Sequence, residues 1–116
     1  MRACSIGAPA GYTDLLGPEA PEIPARATPM AGAEFTHLFA DQAARLSALL
    51  PAILETMARD GMVWVSWPKR AAKRPTDIRE DTIRDIALPL GLVDVKVCAV
   101  DAVWSGLKLV IRRENR

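Results

Sequence analysis

Four cations lie within six residues, Lys69, Arg70, Lys73 and Arg74, directly after an apolar run and directly before Thr76 and Asp77. An anion bound among them would relieve their repulsion, arginine gripping it through paired N–H groups and lysine meeting it as a point charge. Placement favours the same chemistry, because in open α/β sheets ligands collect beyond the carboxyl ends of the strands. Lys69, Arg70, Lys73, Arg74, Thr76 and Asp77 are therefore the candidate anion-binding set, against the alternative of a solvated loop that is basic for solubility alone. The turn Gly7-Ala-Pro-Ala-Gly11 offers backbone N–H groups to a phosphate or carboxylate, although Pro9 removes one donor, and its plainer role is a tight strand-to-helix turn. Trp67, beside Pro68 and the basic loop, is a candidate pocket wall together with Gly7 and Gly11. Trp64 faces the other side of the same strand and is assigned to the core. Trp104 reads as an exposed loop anchor for a partner, with burial the competing assignment.

Other reactive side chains lack company. His37 is the only histidine, sits between apolar neighbours and has no carboxylate beside it, which suits a satisfied semi-buried ring better than a catalytic base. Ser66 and Ser105 lack the setting of a strained nucleophile turn, and one histidine cannot serve both. Asp94 and Lys96 are expected on one strand face, as an acid–base pair or simply a surface ion pair. Cys4 and Cys98 are far apart and form no Cys-x-x-Cys motif, so a disulfide framework and a zinc site both lack their parts. The expectations that follow are no metal, no cofactor and no catalytic residue identifiable from spacing.

These residues must be positioned by a chain of 116 residues, 50% hydrophobic and 25% charged with formal net charge +1, the composition of one globular α/β domain over 1–116. No run reaches the roughly 18 apolar residues of a membrane span, and Pro9, Gly11 and Asp14 interrupt any signal-peptide core, so the expected location is cytoplasmic. Residues 1–60 carry four basic and seven acidic side chains, residues 61–116 eleven and seven. Local basic patches on a near-neutral chain argue for a small anionic ligand and against general nucleic-acid affinity.

The pattern predicts a strand over 2–6, a weak strand near 25–29 and a third over 34–40. Leu46, Leu49, Leu50, Ile53, Leu54 and Met57 recur at helical spacing, so an amphipathic helix follows, with Asp41 as its N-cap, Arg59-Asp60-Gly61 closing it and Pro51 forcing a kink or a restart. Residues 62–67 predict a central buried strand. Thr76 or Asp77 then caps a helix carrying Ile78, Ile83, Ile86, Ala87 and Leu90, stopped by Pro89 and Gly91. Residues 93–100 and 107–111 predict an antiparallel hairpin that ends the sheet. The sum is a single Rossmann-like domain: a mostly parallel sheet of five or six strands with an antiparallel C-terminal hairpin.

Trp64-Val-Ser-Trp-Pro-Lys-Arg70, Thr76-Asp77, Arg84, Gly91-Leu-Val-Asp-Val-Lys-Val-Cys-Ala-Val-Asp101 and Trp104-Ser-Gly-Leu-Lys-Leu-Val110, with Gly7, Gly11, Leu15, Leu16 and Gly17, resemble an uncharacterised bacterial domain family. That resemblance implies no activity. The order of strand, helix, strand after Asp60-Gly61, helix and hairpin also resembles the carboxyl half of class I methyltransferases. Such enzymes place an acidic residue near the first glycine turn and another closing the second strand, where it takes the ribose hydroxyls; here those places read Gly7-Ala-Pro-Ala-Gly11 and Ala27-Thr-Pro29. The reading that follows is a non-catalytic binding module with an anion-accepting basic loop that does not use S-adenosylmethionine. Its rivals are a degenerate transferase-type enzyme on a phosphorylated or carboxylated metabolite, and an interaction protein that dimerises through the hairpin and Trp104.

Overall fold

A computed structural model describes residues 2–10, 12, 23–69, 73, 75–100 and 103–115. In chain order these form β1 (Ala3–Ile6), β2 (Ala25–Arg26), β3 (Phe35–Phe39), α1 (Ala43–Thr56), β4 (Met62–Pro68), α2 (Glu80–Ala87), β5 (Leu92–Ala99) and β6 (Trp104–Ile111), with 3-10 turns at Leu88–Leu90 and Arg113–Asn115. The strands make one six-stranded sheet in the order β2-β1-β3-β4-β6-β5. The first four are mutually parallel, and β6 runs antiparallel to both β4 and β5. This is the mixed α/β sheet expected, with one refinement: the last strand slots in beside β4, leaving β5 at the edge. Hydrophobicity decides the order. Leu107, Leu109 and Ile111 of β6 are fully buried or nearly so, whereas Val95 and Val97 of β5 are 56% and 43% exposed.

Both helices pack on one face of the sheet. Leu46, Leu50 and Ile53 of α1 and Ile83 and Ala87 of α2 join Ile6, Leu38, Val63, Val65 and Leu109 in a continuous core. At about 25 cal/mol per Å² of apolar surface, such side chains contribute about 1.5–3 kcal/mol each when fully buried. Pro51 lies inside α1, which runs through it as a single helix instead of restarting. The proline forgoes a backbone donor, but Leu46, Leu50 and Ile53 on either side of it are anchored to the sheet, so the turn is held by packing. α1 ends at Thr56, before the predicted Gly61, and the Arg59 guanidinium turns back onto the Leu54 and Met57 carbonyls.

The helix starts also differ from the prediction. Gln42 occupies the N-cap position of α1 without a side-chain bond; the Ala43 N–H is instead taken by Asp77 Oδ1 at 2.7 Å. α2 begins only at Glu80, where Thr82 Oγ1 accepts the Arg79 N–H at 3.1 Å. Asp77 therefore caps the first helix and not the second, tying the segment before α2 to the start of α1. Gly91, at φ +92°, ends the 3-10 turn as predicted, since only a residue without Cβ takes that conformation cheaply.

A register shift between Asp94 and Lys96 makes a bulge in β5. Asp94 pairs across to Leu109 and Lys96 to Lys108, adjacent residues on opposite faces of β6, so Asp94 and Lys96 do not share a face as the alternation predicted. Asp94 instead meets Arg84 of α2, whose Nε lies 2.9 Å from Asp94 Oδ2 while a second nitrogen reaches Glu80. Hydrogen bonding to Arg84 holds the Asp94 carboxyl below its usual range.

Candidate functional site

Where β1 and β3 end, their carboxyl edges open a crevice of about 270 Å³ lined by Gly7, Pro9, Phe39, Ala40, Asp41, Arg45 and Trp104. Gly7 has φ +72°, and a Cβ built there would lie 2.8 Å from the Phe39 carbonyl oxygen and 3.6 Å from an Arg45 guanidinium nitrogen. The turn thus needs glycine twice over: for its backbone conformation, and for the close pass of β1 against β3. Arg45, from the first turn of α1, reaches back to this glycine, and Asp41 stands at the exit of β3. Apolar cover comes from Phe39 and Trp104, packed edge to face with ring centroids 5.0 Å apart.

Beneath this cover, on the sheet face away from the helices, lies a buried polar chain. The Tyr12 hydroxyl is 2.8 Å from His37 Nδ1, and His37 Nε2 is 2.7 Å from Ser66 Oγ. A neutral imidazole has one donor and one acceptor, so two hydroxyls, each able to give or take a proton, satisfy it completely. Phe39 stacks on the imidazole at 4.2 Å and Tyr12 meets Phe39 edge-on at 5.3 Å. Burial lowers the His37 pKa to about 4 and pushes that of Tyr12 up to about 12, so both are neutral at pH 7. The Ser66–His37 contact has the length of a nucleophile–base pair, but Ser66 is fully buried and the pair faces the core of this layer. Ser5, the strand neighbour of His37, has a buried hydroxyl without a partner among the described residues.

The sequence candidates are dispersed. Gly7 lines the crevice as proposed, while Gly11 lies outside the described residues. Trp67 does not line it: the side chain is 7% exposed and packs in the helix-covered core. The two strand tryptophans exchange roles, since the pleat turns Val63, Val65 and Trp67 toward the helices and Trp64 toward the other face. Trp104 is not an exposed loop anchor. It opens β6, is 8% exposed and packs on Tyr12 and Phe39 within its own chain. In the basic loop, Arg70 and Arg74 lie outside the described residues. The Lys69 N–H continues the β4–β6 pairing by bonding the Val103 carbonyl, and Lys73 is exposed at φ +55°. Thr76 and Asp77, with Asp41, Gln42, Ala44 and Pro75, bound a separate concavity of about 290 Å³ whose charged groups are carboxylates. Thr76 Oγ1 accepts the Ile78 N–H, and Asp77 serves α1.

Sequence reasoning missed Arg45 and gave Asp41 only a capping role. The available signal was positional: Asp41 closes a predicted strand, and Arg45 lies one helical turn beyond it.

No family model matches the chain, and no curated protein matches it by sequence. Similarity appears in the fold. LepI in complex with SAM superposes with a TM-score of 0.60 at 13% identity, over 96% of this chain and 36% of LepI. Magnesium protoporphyrin IX methyltransferase (ChlM) from Synechocystis PCC 6803 with bound SAM gives 0.59 at 12% identity, over 81% and 48%. Ribosomal protein L11 methylase from Lactobacillus delbrueckii subsp. bulgaricus gives 0.56 at 14% identity, over 79% and 46%. What is shared is the fold, and two of these three proteins are a methylase and a methyltransferase. The superpositions cover 79% to 96% of this chain, and the chain spans roughly a third to a half of these proteins. The expectation of a non-catalytic binding module is corrected accordingly, because the proteins that share this architecture are enzymes; the transferase-type alternative fits better.

Proposed function

We propose that the protein is a transferase-type enzyme of methyltransferase-like architecture, acting on a small carboxylated or phosphorylated metabolite in the crevice between Gly7 and Arg45. The observation that carries this reading is the Arg45 guanidinium beside the glycine turn at the carboxyl edge of β1 and β3, the place where α/β sheets bind ligands. A guanidinium matches the fork of a carboxylate or phosphate, and no salt bridge engages Arg45 among the described residues. Asp41 is the carboxylate of the crevice among the described residues and is placed to accept a hydrogen bond from a substrate O–H or N–H. Phe39 and Trp104 form the apolar wall that limits water.

Two of the fold neighbours hold SAM, and the residues here do not fit that cofactor's ribose. β2 ends in Arg26, whose Nε bonds the Thr28 carbonyl, and the following residues through Pro29 carry no carboxylate. Residues 7–10 carry none either. What speaks against the ribose is therefore the lack of a carboxylate at residues 7–10 and 26–29, while Arg45 is the cation that meets an anion in the crevice.

The test is a thermal-shift and calorimetric screen of phosphorylated and carboxylated metabolites, with SAM included, on the wild type and Arg45→Ala. A ligand at about 100 times its Kd stabilises the native state by about 2.7 kcal/mol, a melting shift of several degrees. The expected result is such a shift for an anion, lost in Arg45→Ala, with mass spectrometry then identifying the transferred group. Stabilisation by no anion, or equal stabilisation of the variant, overturns the proposal. Micromolar SAM binding overturns the ribose argument.

A further inference from the structure

The sheet face opposite the helices carries a feature that the crevice does not use. Lys96 and Lys108 are direct cross-strand partners on one face, and Lys108 is in turn the partner of Trp64. Like charges directly opposite each other in an antiparallel pair destabilise it. No salt bridge compensates either lysine among the described residues. The bulge in β5 makes the arrangement more one-sided, because it sends Asp94 to the helix side, where Arg84 takes it, and leaves Lys96 on the open side. By register, β3, β4, β5 and β6 present no carboxylate on this face.

Between these cations and the buried His37 chain lies Trp64, half-buried. A Cβ on Gly106 would come within 3.3 Å of Trp64 Cε3, so the indole rests on the bare backbone of β6. Glycine at 106 is what lets the ring lie across the strand. The result is a row across the sheet in which the half-buried indole is followed on one side by Lys108 and then Lys96.

We propose that this surface, centred on Trp64, Lys108 and Lys96, binds single-stranded nucleic acid. Charge complementarity calls for an anionic partner. The row of Trp64, Lys108 and Lys96 suits a strand whose phosphates meet the lysines while a base stacks on the indole, and such stacking tolerates any sequence. A second copy of the chain is the poorer occupant, since a two-fold contact here would bring four ammonium groups together. The sequence placed the positive charge in the 69–74 loop and argued against nucleic acid; strand register creates a different patch from residues twelve apart in the chain.

The experiment is fluorescence anisotropy with labelled single strands of about 15 nucleotides, uridine and thymidine homopolymers, across about 50 to 200 mM salt. Wild type is expected to bind with strong salt dependence. Lys96→Ala combined with Lys108→Ala should weaken binding about tenfold or more at low salt and reduce the log–log salt slope by about 1.4, two contacts at about 0.7 each. Trp64→Ala should weaken it about fivefold or more, and Trp64→Phe should retain most of it. The lysine variants should melt no lower than wild type, because a repulsion is removed, which separates lost binding from lost folding. Absence of binding at low salt, binding indifferent to the lysine pair, or displacement by polyglutamate as effective as by oligonucleotide overturns the proposal.

Discussion

Lowering the pH should destabilise this protein through one identifiable residue. His37 is the chain's only histidine, and burial between Tyr12 and Ser66 lowers its pKa from the usual 6.5 to about 4. In the unfolded chain the imidazole takes up its proton near pH 6.5; in the folded chain it does not until about pH 4. Between these values the unfolded state binds more protons, so stability falls as pH falls, by up to 1.36 kcal/mol per pH unit. The contribution is fully present above pH 7. By pH 5 about 2 kcal/mol is lost, and about 3 kcal/mol by pH 4, where carboxylates begin to add their own titrations. The assay is urea denaturation at half-unit steps from pH 7.5 to pH 5, for the wild type and for His37→Gln, beside an NMR titration of the imidazole. His37→Gln should be less stable at neutral pH and nearly flat over this range. A wild-type curve as flat as the variant's, or an imidazole that titrates near 6.5 in the folded protein, refutes the buried hydroxyl–imidazole–hydroxyl chain.

Gly7→Ala should cost about 2 kcal/mol or more in denaturant unfolding, because it combines left-handed backbone strain with a Cβ 2.8 Å from the Phe39 carbonyl. Asp77→Ala should cost about 1 kcal/mol by uncapping Ala43, with Asp77→Asn recovering part of it; equal stability of all three proteins would remove Asp77 from the cap of α1. Trp67→Ala should cost about 3 kcal/mol or more as a core cavity, while Trp64→Phe shifts the melting temperature little, and the reverse ranking would overturn the assignment of the two sheet faces. Ser66→Ala should cost about 1–3 kcal/mol by leaving a buried imidazole nitrogen without its partner, measured by the same unfolding assay.

The sequence by itself determined the elements and their class. Apolar periods of two and near four residues survive any tertiary arrangement, so the strands, both helices, the stop at Gly91 and the antiparallel hairpin were legible, and with them the mixed α/β sheet. Helix ends were less so: Asp77 has the right chemistry for a cap, but its partner is the start of the earlier helix, 34 residues back, and no local rule points there. Sheet order was equally out of reach, because which strand lies beside β4 is settled by competing burial of β5 and β6. What only the tertiary structure decided are the sites. Tyr12, His37 and Ser66 come from three separate segments and meet because β3 and β4 pair in the register that sets His37 against Trp64 and Phe39 against Ser66. A one-residue bulge in β5 moves Asp94 to one face and Lys96 to the other, a change invisible to a pattern that assumes strict alternation. Arg45 becomes part of a crevice only because Gly7 lacks a side chain and lets a strand edge and a helix start approach. Periodicity is a property of neighbours in the chain, whereas a site is a property of neighbours in space, set by pairing register and by close approaches between distant segments.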